Sequence, residues 1–123
     1  MSYTVKLSNR SEKEYKNLEE KSHENENIKL LVKVMDSFDA LESDETFRLD
    51  TKIITREKKR PIYEIRIKTP VNYRIFYSIK KETKEIWVLD MKEKKVPKFS
   101  AEYFKGLFRL QKSYLGIFYN YFF

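Results

Sequence analysis

Two arginines, Arg66 and Arg74, stand on either side of the turn Pro70-Val71-Asn72, in two short stretches whose alternating pattern turns both guanidinium groups away from the apolar side chains. Lys68 follows on the same side. Further along come Lys92, Lys94, Lys95 and Lys98 in a basic loop, together with Phe76 on the second stretch and Phe99 just after the loop. Cations on a rigid sheet grip phosphates and aromatic rings stack on unpaired bases, which is how single-stranded RNA is held. Basic strands with aromatics also occur in ordinary sheets, where Arg66 and Arg74 would pair with Glu64, Glu82 or Glu85 as exposed ion pairs of minor energy. These residues alone leave both readings open.

Other chemistries are excluded by what the sequence lacks. The only glycines are Gly106 and Gly116, so there is neither a glycine-rich phosphate loop nor a dinucleotide fingerprint, and no nucleotide cofactor is expected. There is no cysteine, hence no disulfide framework and no thiolate metal site. The one histidine, His23, sits in a polar run with Lys21, Glu24 and Glu26, where it reads as an exposed loop residue rather than part of a metal cluster or a nucleophilic triad. No metal and no other cofactor is expected.

Charge is divided unevenly along the chain. Residues 1–45 carry 7 Lys/Arg against 11 Asp/Glu, whereas residues 46–123 carry 19 against 8. The C-terminal half therefore holds the positive field expected of a surface that meets a polyanion. The 123 residues suit one domain with one core. The start, Met-Ser-Tyr-Thr-Val-Lys-Leu, has no apolar targeting region and no stretch is long and apolar enough to span a bilayer, so a cytoplasmic protein without a membrane partner is expected.

The elements that must position the cations are legible as periodicities. Tyr3 to Leu7 alternates as an opening strand. Ser11 and Glu14 form a capping-box pair that predicts a helix with Tyr15 and Leu18 inward. Asn27 caps a second helix whose stripe Ile28, Leu31, Val32, Met35, Phe38 and Leu41 suits packing on a sheet. Phe47 to Thr55 reads as a strand, Glu57 to Pro61 as a turn, and Ile62 to Lys68 and Tyr73 to Ile79 as a hairpin with one core face and one charged face. Glu85 to Met91 is the next strand, and Ser100 with Glu102 opens a last helix carrying Tyr103, Leu107, Leu110 and Tyr114. This order predicts a single α+β domain over 1–123: an antiparallel sheet of about four to five strands packed by two N-terminal helices and one C-terminal helix. The tail Tyr114 to Phe123, with six aromatics in ten residues, needs cover, either by folding back on the core or by a partner.

The run Tyr63-Glu64-Ile65-Arg66-Ile67, a turn, Asn72-Tyr73-Arg74-Ile75-Phe76-Tyr77, an apolar strand through Leu89 and the pair Lys94-Lys95 before a helix resembles the RelE/ParE toxin superfamily, in its HigB and phage-derived branch, over residues 3–112. The resemblance implies a type II toxin that cuts messenger RNA on the ribosome without a metal, the 2′-hydroxyl attacking the adjacent phosphate, and that is neutralised by a cognate antitoxin protein. It implies that Arg74 contacts the scissile phosphate and that Arg66 is a basic residue one strand away. Lys94 and Lys95 would be the basic residues after the last strand, and Tyr103 or Phe99 would stand near a stacking or acid/base position. Lys68, Phe76, Lys92, Lys98 and Phe99 would contact RNA. Asp90 stands where many relatives place a histidine, and Glu64 where others use a lysine; an unperturbed carboxylate serves as a base but is a poor acid at neutral pH. The ParE branch implies a different activity, non-catalytic binding of DNA gyrase, and an inactive nucleic-acid-binding remnant of the fold is a third expectation.

Overall fold

The computed structural model describes residues 2–54 and 60–116. The chain runs β1 (Thr4–Leu7), α1 (Asn9–Glu20), α2 (Asn25–Glu42), a 3₁₀ turn (Thr46–Arg48), β2 (Thr51–Ile53), β3 (Tyr63–Ile67), β4 (Tyr73–Lys80), β5 (Glu85–Glu93) and α3 (Ala101–Leu115). One sheet takes all five strands in the order β1-β5-β4-β3-β2. The α+β class stands, but the sheet is mixed: β1 lies parallel to β5 while every other pairing is antiparallel. Parallel pairing needs a long crossover, and here everything from α1 to β4 supplies it.

Both faces of the sheet are covered. Ile65, Ile67, Tyr73, Ile75, Tyr77, Ile86, Val88 and Met91 pack with Leu18, Leu30, Val34 and Leu41 beneath α1 and α2. On the opposite face Ile62, Phe76 and Leu89 pack with Phe99, Leu107 and Leu115 beneath α3. The charged face expected of the hairpin is therefore charged only beyond the reach of α3, and even there Glu64 and Arg74 are buried.

Helix starts differ from expectation for local reasons. Ser8, not Ser11, caps α1, its hydroxyl accepting from Ser11 N–H at 3.1 Å. Ser11 is buried and donates instead to the Val88 carbonyl at 3.0 Å, while Ser8 donates to the Leu89 carbonyl at 2.7 Å. The two serines thus stitch α1 to β5 where β1 stops pairing at Val88. Glu24, not Asn27, precedes α2, and Asn27 hydrogen-bonds back to the Glu24 carboxylate at 3.0 Å. Ser100 caps α3 as expected, accepting from Tyr103 N–H at 3.1 Å.

The buried stripe of α2 is Leu30, Val34, Ser37 and Leu41. Of the expected stripe, Ile28, Val32 and Met35 face solvent, and only Leu41 is fully buried. The helix carries two apolar stripes, and the sheet selects the one whose Ser37 and Ala40 allow close approach while Ser37 donates to the Lys33 carbonyl at 2.8 Å. Phe47, expected on a strand, sits on the 3₁₀ turn, 82% exposed, and β2 is shorter than expected. Most of the expected turn Glu57 to Pro61 and the aromatic tail after Gly116 lie outside the described residues. Tyr114 lies within α3, its ring 4.9 Å from Trp87 and its hydroxyl accepting from Asn9 N–H at 2.9 Å.

Leu30→Ala is expected to cost about 2–5 kcal/mol of unfolding free energy, and Met35→Ala to stay within about 0.5 kcal/mol. Urea unfolding of the two variants checks which stripe of α2 meets the sheet.

Candidate nucleic-acid interface

The pairing register lays three cations in a row across the sheet: Arg66 on β3 is opposite Arg74 on β4, which is opposite Lys92 on β5. The sequence placed Lys92 in a loop, but β5 runs on to Glu93 and holds it on the sheet. Such residues are spaced by the strand separation, about 5 Å, comparable with the spacing of successive phosphates in an extended strand.

What brings Lys92 and Asp90 to this face is a β-bulge. Tyr77 pairs with Val88 but Phe76 pairs with Asp90, so Leu89 is an extra residue on β5. Trp87 and Leu89 pack toward α3, Val88 and Met91 toward α1 and α2. The inserted residue shifts the alternation by one, as bulges do, and Asp90 and Lys92 fall on the side of α3.

Each cation is held differently. Arg66 donates to the Asp50 carboxylate at 2.7 Å and remains one-third exposed; this bond holds the Asp50 carboxyl below the usual carboxylate range. Arg74 is 6% exposed. Its Nη1 donates to Asn72 Oδ1 at 2.6 Å and to the Tyr73 carbonyl at 3.1 Å, and its Nε lies 3.5 Å from Glu64 without hydrogen-bond geometry. Lys92 Nζ sits 4.8 Å from the Tyr103 ring centre and 5.7 Å from that of Phe99, and Lys94 Nζ lies 5.6 Å from the Phe99 ring. Cation–π contacts of this kind hold an ammonium in place without neutralising it.

The residues expected to stack on RNA lie deep in the fold. Phe76 is wholly enclosed, its ring edge-on to Phe99 and Tyr103. Phe99 is buried and stacks on Tyr103 at 4.9 Å. These rings form the floor under Lys92 and Lys94. The Tyr103 hydroxyl donates to Asp90 Oδ2 at 2.5 Å, and burial together with the Asp90 charge pushes the phenol far above its ordinary value. Asp90, buried, also accepts from Met91 N–H at 3.0 Å and has the Arg10 guanidinium 3.6 Å away. Lys68, Lys95 and Lys98 are exposed, Lys95 and Lys98 in the loop after β5.

The contribution of α1 was not expected from the sequence. Arg10, Lys13, Glu14 and Asn17 meet Asp90, Lys92 and Tyr103 around an open cleft of about 360 Å³. Glu14 accepts from Tyr73 Oη at 3.1 Å, and burial, partly offset by that bond, raises its carboxyl pKa. The signal that was available is their spacing along one helix face. No cluster of His, Cys, Asp and Glu with metal-binding geometry occurs among the described residues, and none of their helices is long and apolar enough to cross a membrane.

The Arg74–Glu64 pair is nearly dry, 7% and 10% exposed in its side chains. Removing one charge from such a pair strands the other, so Arg74→Met is expected to cost about 3–5 kcal/mol. Adding Glu64→Gln should recover most of that loss in urea unfolding.

No protein-family model matches the sequence, and no curated protein matches it. Solved structures do match in fold. A chain of the archaeal RelE–RelB complex from Pyrococcus horikoshii superposes with a TM-score of 0.55 at 23% identity, over 76% of this chain and 96% of that one. A chain of the Mycobacterium tuberculosis toxin–antitoxin complex RelBE2 gives 0.52 at 21% identity, over 76% and 100%. A double-arginine mutant of E. coli RelE in the free state gives 0.54 at 18% identity, over 89% and 97%. Three helices on a five-stranded, mostly antiparallel sheet are shared with these proteins, and the chain has the RelE fold.

Proposed function

We propose that this chain is the toxin of a toxin–antitoxin pair and acts in the cytoplasm as a metal-independent endoribonuclease on ribosome-bound messenger RNA. The observation that carries the reading is the cross-strand row Arg66, Arg74 and Lys92, three cations fixed by backbone register on one sheet face. In this reaction the 2′-oxygen bonds to the adjacent phosphorus and the bond to the 5′-oxygen breaks, leaving a cyclic phosphate. Negative charge builds on the phosphoryl oxygens in between. Preorganised cations in a partly dehydrated site stabilise that charge more than they stabilise the ground state. Arg74, locked by Asn72 and Glu64, supplies a fixed donor array; Arg66 and Lys92, more open, reach the flanking phosphates.

An antitoxin partner follows from the same charge. The neighbours from P. horikoshii and M. tuberculosis were captured with antitoxins, and an acidic or amphipathic segment laid over this row would mask it. Membership in the HigB branch stays part of the proposal and rests on the sequence resemblance alone.

Because Arg74 also balances Glu64, the decisive variants are Arg66→Ala and Lys92→Ala. Induced expression in a bacterial host, with growth followed and messenger RNA 5′ ends mapped, should give arrest with cuts phased to ribosomes. Each variant should lose cutting by about 10- to 100-fold, as expected for a lost charged contact of about 1.5–3 kcal/mol. Arrest without cuts would replace this reading by a gyrase-binding or other target-binding toxin, and no arrest by an inert relative of the fold.

A further inference from the structure

Arg10, Lys13, Glu14 and Asn17 recur at helical spacing, so α1 presents one polar wall to the cleft whose other wall is Asp90, Lys92 and Tyr103. The cleft opens where β5 has outrun β1, whose pairing ends at Val88. Lys92 belongs both to this cleft and to the end of the cation row. A strand of RNA held by the row would therefore pass the mouth of the cleft.

The two carboxylates in the cleft are not equivalent. Asp90 is committed on both oxygens, to Met91 N–H and to the Tyr103 hydroxyl. Glu14 is committed on one: Oε1 accepts from Tyr73, while Oε2 makes no hydrogen bond among the described residues. The side-chain amide of Asn17, one turn further along the same helix face, also makes none among them. An open carboxylate acceptor beside an open amide donor is a specific pattern. It complements the Watson–Crick edge of guanine, on which the O6 acceptor is followed by the N1–H and N2–H donors. Adenine and cytosine each turn a ring-nitrogen acceptor toward the carboxylate, and uracil offers one donor between two acceptors.

We propose that the α1 cleft is a base subsite for guanine, Glu14 accepting from N1–H and N2–H and Asn17 donating to O6. Arg10 and Lys13 stand at the rim to meet the neighbouring backbone. The subsite rests on the RNA reading above, whose cation row delivers the strand. Desolvation of Glu14 sharpens the choice, because a partly buried acceptor left facing another acceptor is costly. The hydrogen bond from Tyr73 fixes the carboxylate in place before a base arrives.

The test is equilibrium binding by fluorescence anisotropy, with the purified protein and short labelled oligouridylates that carry one guanosine, or inosine in its place. Inosine keeps O6 and N1–H and lacks the N2 amino group. Wild type should bind the guanosine oligomer about tenfold tighter than the inosine oligomer. Glu14→Gln should weaken the guanosine oligomer more than the inosine oligomer, which keeps only the N1–H contact, and so collapse that ratio, whereas Arg66→Ala should weaken both oligomers equally. Asn17→Ala, at an exposed position, is the second variant and should reduce discrimination between guanosine and 2-aminopurine should Glu14→Gln fail to fold. Equal affinity of wild type for the guanosine and inosine oligomers, or a preference that survives Glu14→Gln, overturns the subsite and leaves the RNA reading standing. Failure to bind any oligomer, or binding indifferent to Arg66→Ala, overturns the RNA reading and the subsite with it.

Discussion

The candidate site depends on one extra residue in β5. Strict alternation after Trp87 would send Asp90 and Lys92 into the apolar layer under α1 and α2 and bring Met91 up beneath α3. The bulge at Leu89 reverses this, so that Met91 fills the lower core while Asp90 meets Tyr103 and Lys92 completes the row with Arg74 and Arg66. A bulge leaves backbone groups without ladder partners. Here Ser8 and Ser11, at the first turn of α1, donate to the carbonyls of Leu89 and Val88. The N-terminal helix is thereby fastened to the irregular segment of the sheet that shapes the cation face.

Opposite charges are distributed unevenly along the row: Arg66 pairs with Asp50 and Arg74 with Glu64, whereas the lysines are held without a carboxylate. Lys92 and Lys94 lie against rings rather than carboxylates. Arg74 has a carboxylate partner, Glu64, at ion-pair distance without a hydrogen bond to its Nε. Asp90, two residues before Lys92, is turned to Tyr103 and the backbone of Met91. The residues beneath the cations act as a scaffold, which explains why Phe76, Phe99 and Tyr103 read in the sequence as partners for RNA but in the structure as partners for one another.

Much of the fold was legible because strands with a buried face write a period of two into the sequence, as in Tyr63-Ile65-Ile67 and Tyr73-Ile75-Tyr77, and because Ser100 is a capping residue in a clear context. The orientation of α2 was not, since a helix with two apolar stripes leaves the choice to whatever it packs on. The bulge was not, although the spacing of Ile86, Val88 and Met91 breaks alternation at the point where it occurs. Arg66 and Arg74 stood out because they interrupt apolar strands. Arg10, Lys13, Glu14 and Asn17 did not, because a polar face on an N-terminal helix looks the same whether it faces water or a cleft.

The parallel pairing of β1 with β5 has a consequence for when this surface can exist. Thr4–Leu7 finds its neighbour only in Glu85–Val88, 81 residues further along the chain, and contacts of such sequence separation form late because their loop-closure entropy is large. During synthesis from the N-terminus, α1 has no β5 edge to be stitched to, and Arg66 and Arg74 have no Lys92 beside them, until β5 has left the ribosome. The row of cations is thus assembled in one late step, and a truncated or stalled chain carries the basic residues without the surface that aligns them.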